Sequence, residues 1–328
     1  MANSFFTRSF FKRACTAFTI VAAAAFAPAQ ADAWPDRPLK LVVPYPAGGA
    51  SDRHMRLVAQ LLGKELGQPV VVDNKPGGSG TLGTSAVGQT AQPDGYTIAQ
   101  YPMGMLRVPH LQKVGWHPID DFTFIAGVSG YTFGVVVRSD SPHKTIGDLL
   151  EDAKKRPGEI TYGSAGVGTG PHLLMKELAD AAGAQLTHVP FKGSADVQTN
   201  LLGGHVDAAS DASTFDKFVD EGRMRLLVTF GEKPTKKWPD VPTTKSLGYG
   251  VVGNSPYGIV GPKGMPPAVV EKLTQALERV VDSPENVALM DQLNQEIWFV
   301  PTDQYKAWAV ETFEKEGKLL QRMGLAAN

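Results

Sequence analysis

The chain has 328 residues and carries 32 Lys+Arg against 33 Asp+Glu. A protein that grips a phosphate backbone needs a clear basic excess, so nucleic acid is excluded as a partner. The single cysteine, Cys15, excludes an internal disulfide framework.

Residues 1–33 read as a secretory signal peptide. Arg8, Lys12 and Arg13 precede an alanine-rich apolar stretch from Ala14 to Ala27, followed by small residues at Ala29, Ala31 and Ala33. Cleavage after Ala31 and after Ala33 fit equally well. The stretch is shorter than the roughly 20 residues a bilayer requires, and Cys15 lies inside it, unsuited to lipid attachment. A periplasmic, unanchored mature protein is expected. Losing Arg8, Lys12, Arg13 and Asp32 leaves 29 Lys+Arg against 32 Asp+Glu, a formal net charge of −3. A mature chain of this length exceeds what one hydrophobic core usually serves, so two domains are expected.

Leu39 to Val43 reads as a strand, and Met55, Val58, Leu61, Leu62 and Leu66 then recur at helical spacing. Val70 to Val72, Tyr96 to Ala99 and Phe122 to Val128 are further strands. A second series opens at Val135 to Val137. Thr145 and Asp148 form a capping-box start to a helix ending near Lys155. Strands follow at Ile160 to Tyr162, Thr187 to Val189, Val206 to Ala209 and Leu226 to Thr229, with helices over 171–182, 194–203 and 214–222. After a Pro- and Gly-rich stretch, Tyr257 to Val260 is a strand. Val269 to Val281 is the clearest amphipathic helix, Ile297 to Phe299 another strand, and a last helix spans Thr302 to Met323. This alternation predicts an α/β fold with a largely parallel sheet. The C-terminal part is too small to stand alone and is expected to return to the first domain. The division is therefore 34–133 plus 255–328 for domain 1, with 134–254 inserted as domain 2.

Three strand-to-helix loops combine Gly with small hydroxyls: Pro44 to Asp52, Pro76 to Thr84 and Gly163 to Gly170. A helix N-terminus leaves backbone N–H groups unpaired and carries partial positive charge, and Gly lets the backbone approach an anion closely. Such loops are also ordinary turns in α/β proteins. Their recurrence with Ser51, Ser79, Thr81, Ser164 and Thr169 favours a shared anion site.

Other chemistries find less support. Gly166, Gly168 and Gly170 lack dinucleotide spacing, and no acidic residue follows near Val189. There is no phosphate-binding P-loop and no nucleophile elbow, although Ser164, His172 and Asp211 remain a conceivable triad. The seven histidines show no metal-ligand spacing, so no metal and no cofactor are expected. His172, behind the third loop, is the one histidine singled out. Asp207 and Asp211 fall at the end of a strand, where α/β sheets contact ligands, or Asp211 caps the helix before Thr214. Tyr45 is either a stacking surface or wall packing, and Lys192 either an anion partner or a solvated side chain.

The order of motifs resembles the TctC-type, or Bug-type, receptors of tripartite tricarboxylate transporters. The resemblance runs from Trp34-Pro35 through Pro44-Tyr45-Pro46-Ala47-Gly48-Gly49 and Val70 to Gly83. It continues through Pro93-Asp94-Gly95-Tyr96-Thr97, Asp121-Phe122 and Tyr162-Gly163-Ser164. Further on it takes in His188 to Gly193, Leu201-Leu202-Gly203-Gly204 and Pro239 to Thr243. It implies a two-domain periplasmic-binding-protein (Venus flytrap) fold with a ligand cleft between the lobes, closing on its ligand. It also implies a carboxylate held by Tyr45, Ala47, Gly48, Ser51, Gly78, Ser79 and Gly80 from the first domain. Ser164, Gly168, Thr169 and Asp211 would come from the second. Tyr45, where relatives often have Phe, and Gln100 to Met103, where they have a Thr- or Ser-rich turn, depart from the pattern and bear on ligand identity.

The expected function is a non-catalytic monomer that captures a mono-, di- or tricarboxylate, aromatic acids included, and delivers it to membrane permease subunits. Two alternatives stand beside it: an amino-acid receptor in which Asp211 accepts the ammonium, and a hydrolase on the same bilobal scaffold.

Overall fold

A computed structural model describes residues 34–212 and 215–327. The signal peptide read from the sequence lies outside the described residues.

The chain begins with β1 (Leu39–Val43), α1 (Ala50–Leu66), β2 (Val70–Asn74), a 3-10 turn at Gly78–Gly80 and α2 (Leu82–Thr90). It continues with β3 (Thr97–Tyr101), α3 (Gly104–Leu111) and β4 (Phe122–Arg138). The series α4 (Ile146–Lys155), β5 (Thr161–Ser164), α5 (Gly170–Ala182), β6 (Thr187–Pro190), α6 (Ser194–Leu202), β7 (Ala208–Ala212), α7 (Asp216–Asp220) and β8 (Met224–Thr229) follows. The chain closes with β9 (Asn254–Pro262), α8 (Pro267–Val281), α9 (Pro284–Leu293), β10 (Glu296–Pro301) and α10 (Thr302–Arg322).

Local chemistry accounts for several boundaries. Thr145 accepts the N–H of Asp148, while the Asp148 carboxylate takes the N–H of Thr145, so the capping box that starts α4 is formed. Gly67, left-handed at φ 70°, stops α1. The apolar stripe of α8 is buried over Val269, Val270, Leu273, Ala276, Leu277, Val280 and Val281, as its spacing requires.

The strands run in the order β2-β1-β3-β9-β4-β7-β5-β6, with β8 and β10 also paired to β4. The ladders of β1 with β2 and β3, and of β5 with β6 and β7, are parallel. Those of β4 with β7, β8, β9 and β10, and of β3 with β9, are antiparallel. The sheet is therefore mixed, not largely parallel.

The principal cause is β4. Two strands were expected, at Phe122 to Val128 and at Val135 to Val137, with residues 129–134 assigned to neither. One 17-residue strand runs through instead. Its middle pairs with β9, Gly130 opposite Pro256 and Tyr131 opposite Ser255, so this polar stretch finds ladder partners. Gly127 is needed where it stands, since a Cβ there would lie 2.5 Å from the Trp298 ring.

Candidate functional site

Four helices of the described chain begin around one cavity. Each follows directly from a strand: α1 from β1, α3 from β3, α5 from β5 and α6 from β6. The carboxyl ends of strands are where open α/β sheets hold ligands. Gly49, Ala50 and Ser51 at the start of α1 and Met103 and Gly104 at the start of α3 line the cavity. Thr169, Gly170 and Pro171 of α5 and Ser194 of α6 complete this ring of first turns. None of the four helices has a side-chain hydrogen bond capping its N-terminus. Their dipoles thus present positive ends to one space, which suits an anion.

Behind α1 lies a buried polar relay. The Ser51 hydroxyl is hydrogen-bonded to the Tyr131 hydroxyl, which also accepts the Gln100 side-chain amide at 2.8 Å. Tyr131 stacks on Tyr257 with ring centroids 4.3 Å apart, and the Tyr257 hydroxyl meets His54 Nδ1 at 2.6 Å. His54 Nε2 reaches Asn286 Oδ1 at 2.9 Å. Burial, partly offset by the Asn286 bond, pulls the His54 imidazole down to about 4, so this relay is neutral near pH 7.

The residues expected at the site divide. Tyr45, Ser51, Thr169 and Asp211 line the cavity, whereas Ala47, Gly48, Gly78, Ser79, Gly80, Ser164 and Gly168 lie outside its lining. Two of these have already used the N–H expected to meet a ligand. Gly48 donates to the Asp52 carboxylate at 2.9 Å, and Gly168 to His172 Nδ1 at 3.1 Å. Burial alone would raise Asp52, but hydrogen bonds from Arg56, Gly48 and Asn74 outweigh it and hold the carboxyl below its usual range.

Gly78 and Ser79 instead line an outer groove with Gly166, Val167, Phe191 and Lys192. Ser79 packs on Gly166, where a Cβ would lie 2.7 Å from the serine Oγ. Gly80 stands behind Tyr45, its own missing Cβ 2.5 Å from the tyrosine Oη. Ala47 and Gly48 are exposed.

Ser164 is buried and pairs with His188 Nε2 at 2.7 Å. His172 stacks on His188 with centroids 4.1 Å apart. Asp211 accepts Ser194 Oγ at 2.6 Å and Gln198 Nε2 at 3.3 Å. Among the described residues no hydrogen bond joins Ser164, His172 and Asp211 into a relay, so the conceivable triad is not assembled. The Asp211 carboxylate is turned to α6. Asp207 precedes β7 and binds the Thr161 N–H and hydroxyl at 2.8 and 2.7 Å, away from the cavity.

Burial drives the Asp211 carboxyl up to about 7, against the opposing bonds from Ser194, Ala212 and Gln198. The described residues contain no cluster of three or more metal-ligating side chains.

Met103, in the Gln100 to Met103 turn singled out as bearing on the ligand, lines the cavity, whereas sequence reasoning missed Tyr131, Phe133 and Ser194. Ser194 had a signal, a serine directly after Gly193 at the head of an expected helix. Tyr131 and Phe133 had none, because they sit between the two strands expected there.

This architecture is that of a periplasmic binding protein, an α/β fold with a curled sheet and its helices around a ligand cavity. It superposes on the periplasmic binding protein BugD with a TM-score of 0.85 at 32% identity, covering 90% of this chain and 100% of that one. A similar match is Rpa4515 of R. palustris, solved with adipate, with a TM-score of 0.85, 26% identity and coverage of 89% and 99%. In sequence the chain is 43% identical to the UPF0065 protein in gbd 5'region of Cupriavidus necator, over 92% of this chain and 91% of that protein. It is 30% identical to protein BugT of Bordetella pertussis over 80% and 82%. Residues 54–325 match the family described as tripartite tricarboxylate transporter family receptor. The chain belongs to that family.

Proposed function

We propose that this protein is an extracytoplasmic receptor that captures a small carboxylate in the cavity and delivers it, unchanged, to the permease subunits of a tripartite transporter. The single observation that carries the reading is the convergence of four helix N-termini, none capped by a side chain, on one space. The adipate complex of a relative supports the same ligand chemistry.

In this reading residues 34–133 plus 255–328 form one lobe and residues 134–254 the other. The β4–β9 ladder joins them and ligand draws them together. A carboxylate makes stronger hydrogen bonds than a neutral group, so closure is favoured only when ligand completes the ring. Residues 1–33 act as the export signal. An amino-acid receptor is the second reading, favoured by Asp211 in the cavity wall.

A thermal-shift screen of residues 34–328 against carboxylates, sugars and cations tests the proposal. At 100 times its dissociation constant a ligand adds about 2.7 kcal/mol, which raises the melting temperature by several degrees. A flat response to every acid, with shifts from sugars or cations, overturns it.

A further inference from the structure

We infer that capture of a carboxylate takes up one proton: Asp211 receives it, reverses its hydrogen bond with Ser194, and so turns the Ser194 hydroxyl from an acceptor into a donor facing the ligand. This rests on the carboxylate reading above and gives two of the lining side chains a role within it.

Ser194 opens α6 and lines the cavity, with its Oγ 2.6 Å from Asp211 Oδ1. A serine hydroxyl has one proton to give. While Asp211 is ionised its carboxylate can only accept, so Ser194 directs that proton to Asp211 and shows the cavity its lone pairs. Those lone pairs repel a carboxylate seated at the start of α6. A proton on Asp211 Oδ1 reverses the pair. The acid O–H then donates to Ser194 Oγ across the same gap, and the serine O–H turns to a ligand oxygen. The proton comes from solvent, and the new O–H of Asp211 is the one covalent bond formed on the protein.

The sign of the coupling follows from where Asp211 sits. It is 1% exposed, and its oxygens receive Ser194 Oγ, Gln198 Nε2 at 3.3 Å and the Ala212 N–H. Burial already pushes the carboxyl up to about 7, so a proton is within reach near neutrality. The four helix ends act on Asp211 whether the cavity is empty or filled. What capture adds is the negative charge of the ligand and the loss of water, and each strengthens the hold of Asp211 on a proton.

The neighbouring groups do not compete for that proton. Among the described residues the other titratable side chains in the lining are Tyr45 and Tyr131, two phenols that burial keeps neutral. Burial first, then neighbouring positive charge, lowers His172 of α5 to about 4 and His188 of β6 to about 3. On α7, Asp216 lies between Arg53 at 3.6 Å and Lys237 at 3.7 Å, all three outside the lining. Asp196 of α6 lines the outer groove instead.

Isothermal titration of residues 34–328 with acetate, benzoate, succinate and adipate, each in two buffers of different ionisation heat, counts the protons. For every acid that binds, most of one proton per ligand is expected at about pH 8 and roughly a quarter of one at about pH 6.5, with affinity about five- to tenfold weaker at the higher pH. Asp211→Asn, whose amide donates to Ser194 as the acid O–H would, should take up no proton and bind equally at both pH values. Wild-type binding without proton uptake at pH 8, or uptake that persists in Asp211→Asn, overturns this inference and leaves the carboxylate reading intact. Binding by none of the acids overturns both. Should the variant fail to fold, infrared difference spectra of the wild-type protein decide. The C=O stretch of a protonated carboxyl should appear when an ionised acid is added at pH 8, and its absence overturns the inference.

Discussion

The hydroxyls of Ser51 and Tyr131 are hydrogen-bonded to each other, which ties the first turn of α1 to the middle of β4. Gln100 donates its amide to the same tyrosine at 2.8 Å, and all three side chains are buried. Deleting one hydroxyl leaves its buried partners one hydrogen bond short. Tyr131→Phe should therefore cost about 1–3 kcal/mol, read as a lower urea midpoint at unchanged slope. An unchanged midpoint would mean that the relay contributes nothing to stability.

Gly80 is left-handed at φ 85° and stands behind the Tyr45 ring. Gly80→Ala should cost about 1–3 kcal/mol through backbone strain and should also push Tyr45 toward the cavity. The expected signature is a lower melting temperature together with a smaller ligand-induced shift. Adding Tyr45→Ala to that variant should relieve the contact and leave only the strain.

Asp211 gives stability a pH dependence of definite sign. Its folded carboxyl is pushed up to about 7 from 3.8, so between those values the folded state holds a proton that the unfolded state has lost. Stability from this group is thus present at low pH and is lost as pH rises through 7. Asp211→Asn should stabilise the ligand-free protein more at pH 8 than at pH 4, by a difference on the order of 4 kcal/mol. Chemical denaturation of both proteins across that range measures it, and equal differences at both ends would refute the assignment.

The histidines work in the opposite direction. Burial, with His172 adding to it, lowers His188 to about 3, and burial lowers His172 to about 4 with Lys176 and Arg107 contributing. Each is neutral when folded and takes up a proton more readily when unfolded, so stability falls as pH drops below 6.5. His188→Gln, which keeps a polar partner for Ser164, should flatten that acid limb in a thermal melt series between pH 7 and 4.

Arg107 and Glu316 join α3 to α10 through two hydrogen bonds, with side-chain exposures of only 7% and 13%. Breaking such a pair strands the remaining charge. Arg107→Met should cost about 3–5 kcal/mol, and the Arg107→Met/Glu316→Met double variant should regain most of it. A double variant no more stable than the single one would show that the packing of Arg107, not its charge, matters.

Much of this architecture is legible in the residue order. Leu39 to Val43, the capping box at Thr145 and the stripe along α8 are local signals, and each element forms where its pattern places it. The glycine-rich loops after β1 and β5 also point to the cavity, through Ser51 and Thr169. What escapes is anything decided by distant partners. Gly48 and Gly168 look free in sequence, but Asp52 and His172 take up their N–H groups. Tyr131 falls between two expected strands until β9, more than a hundred residues later, lies alongside it. That α6 would bring Ser194 and Gln198 against Asp211 is likewise invisible in the residue order.

The cavity draws α1 and α3 from the chain before β4, and α5 and α6 from the chain after it. A fragment holding either pair alone would present its two helix ends to bulk water, where solvent polarisation leaves them little pull on an anion. Capture in this design is a property of the joined molecule. It would vanish on parting the pairs, with every covalent bond still intact.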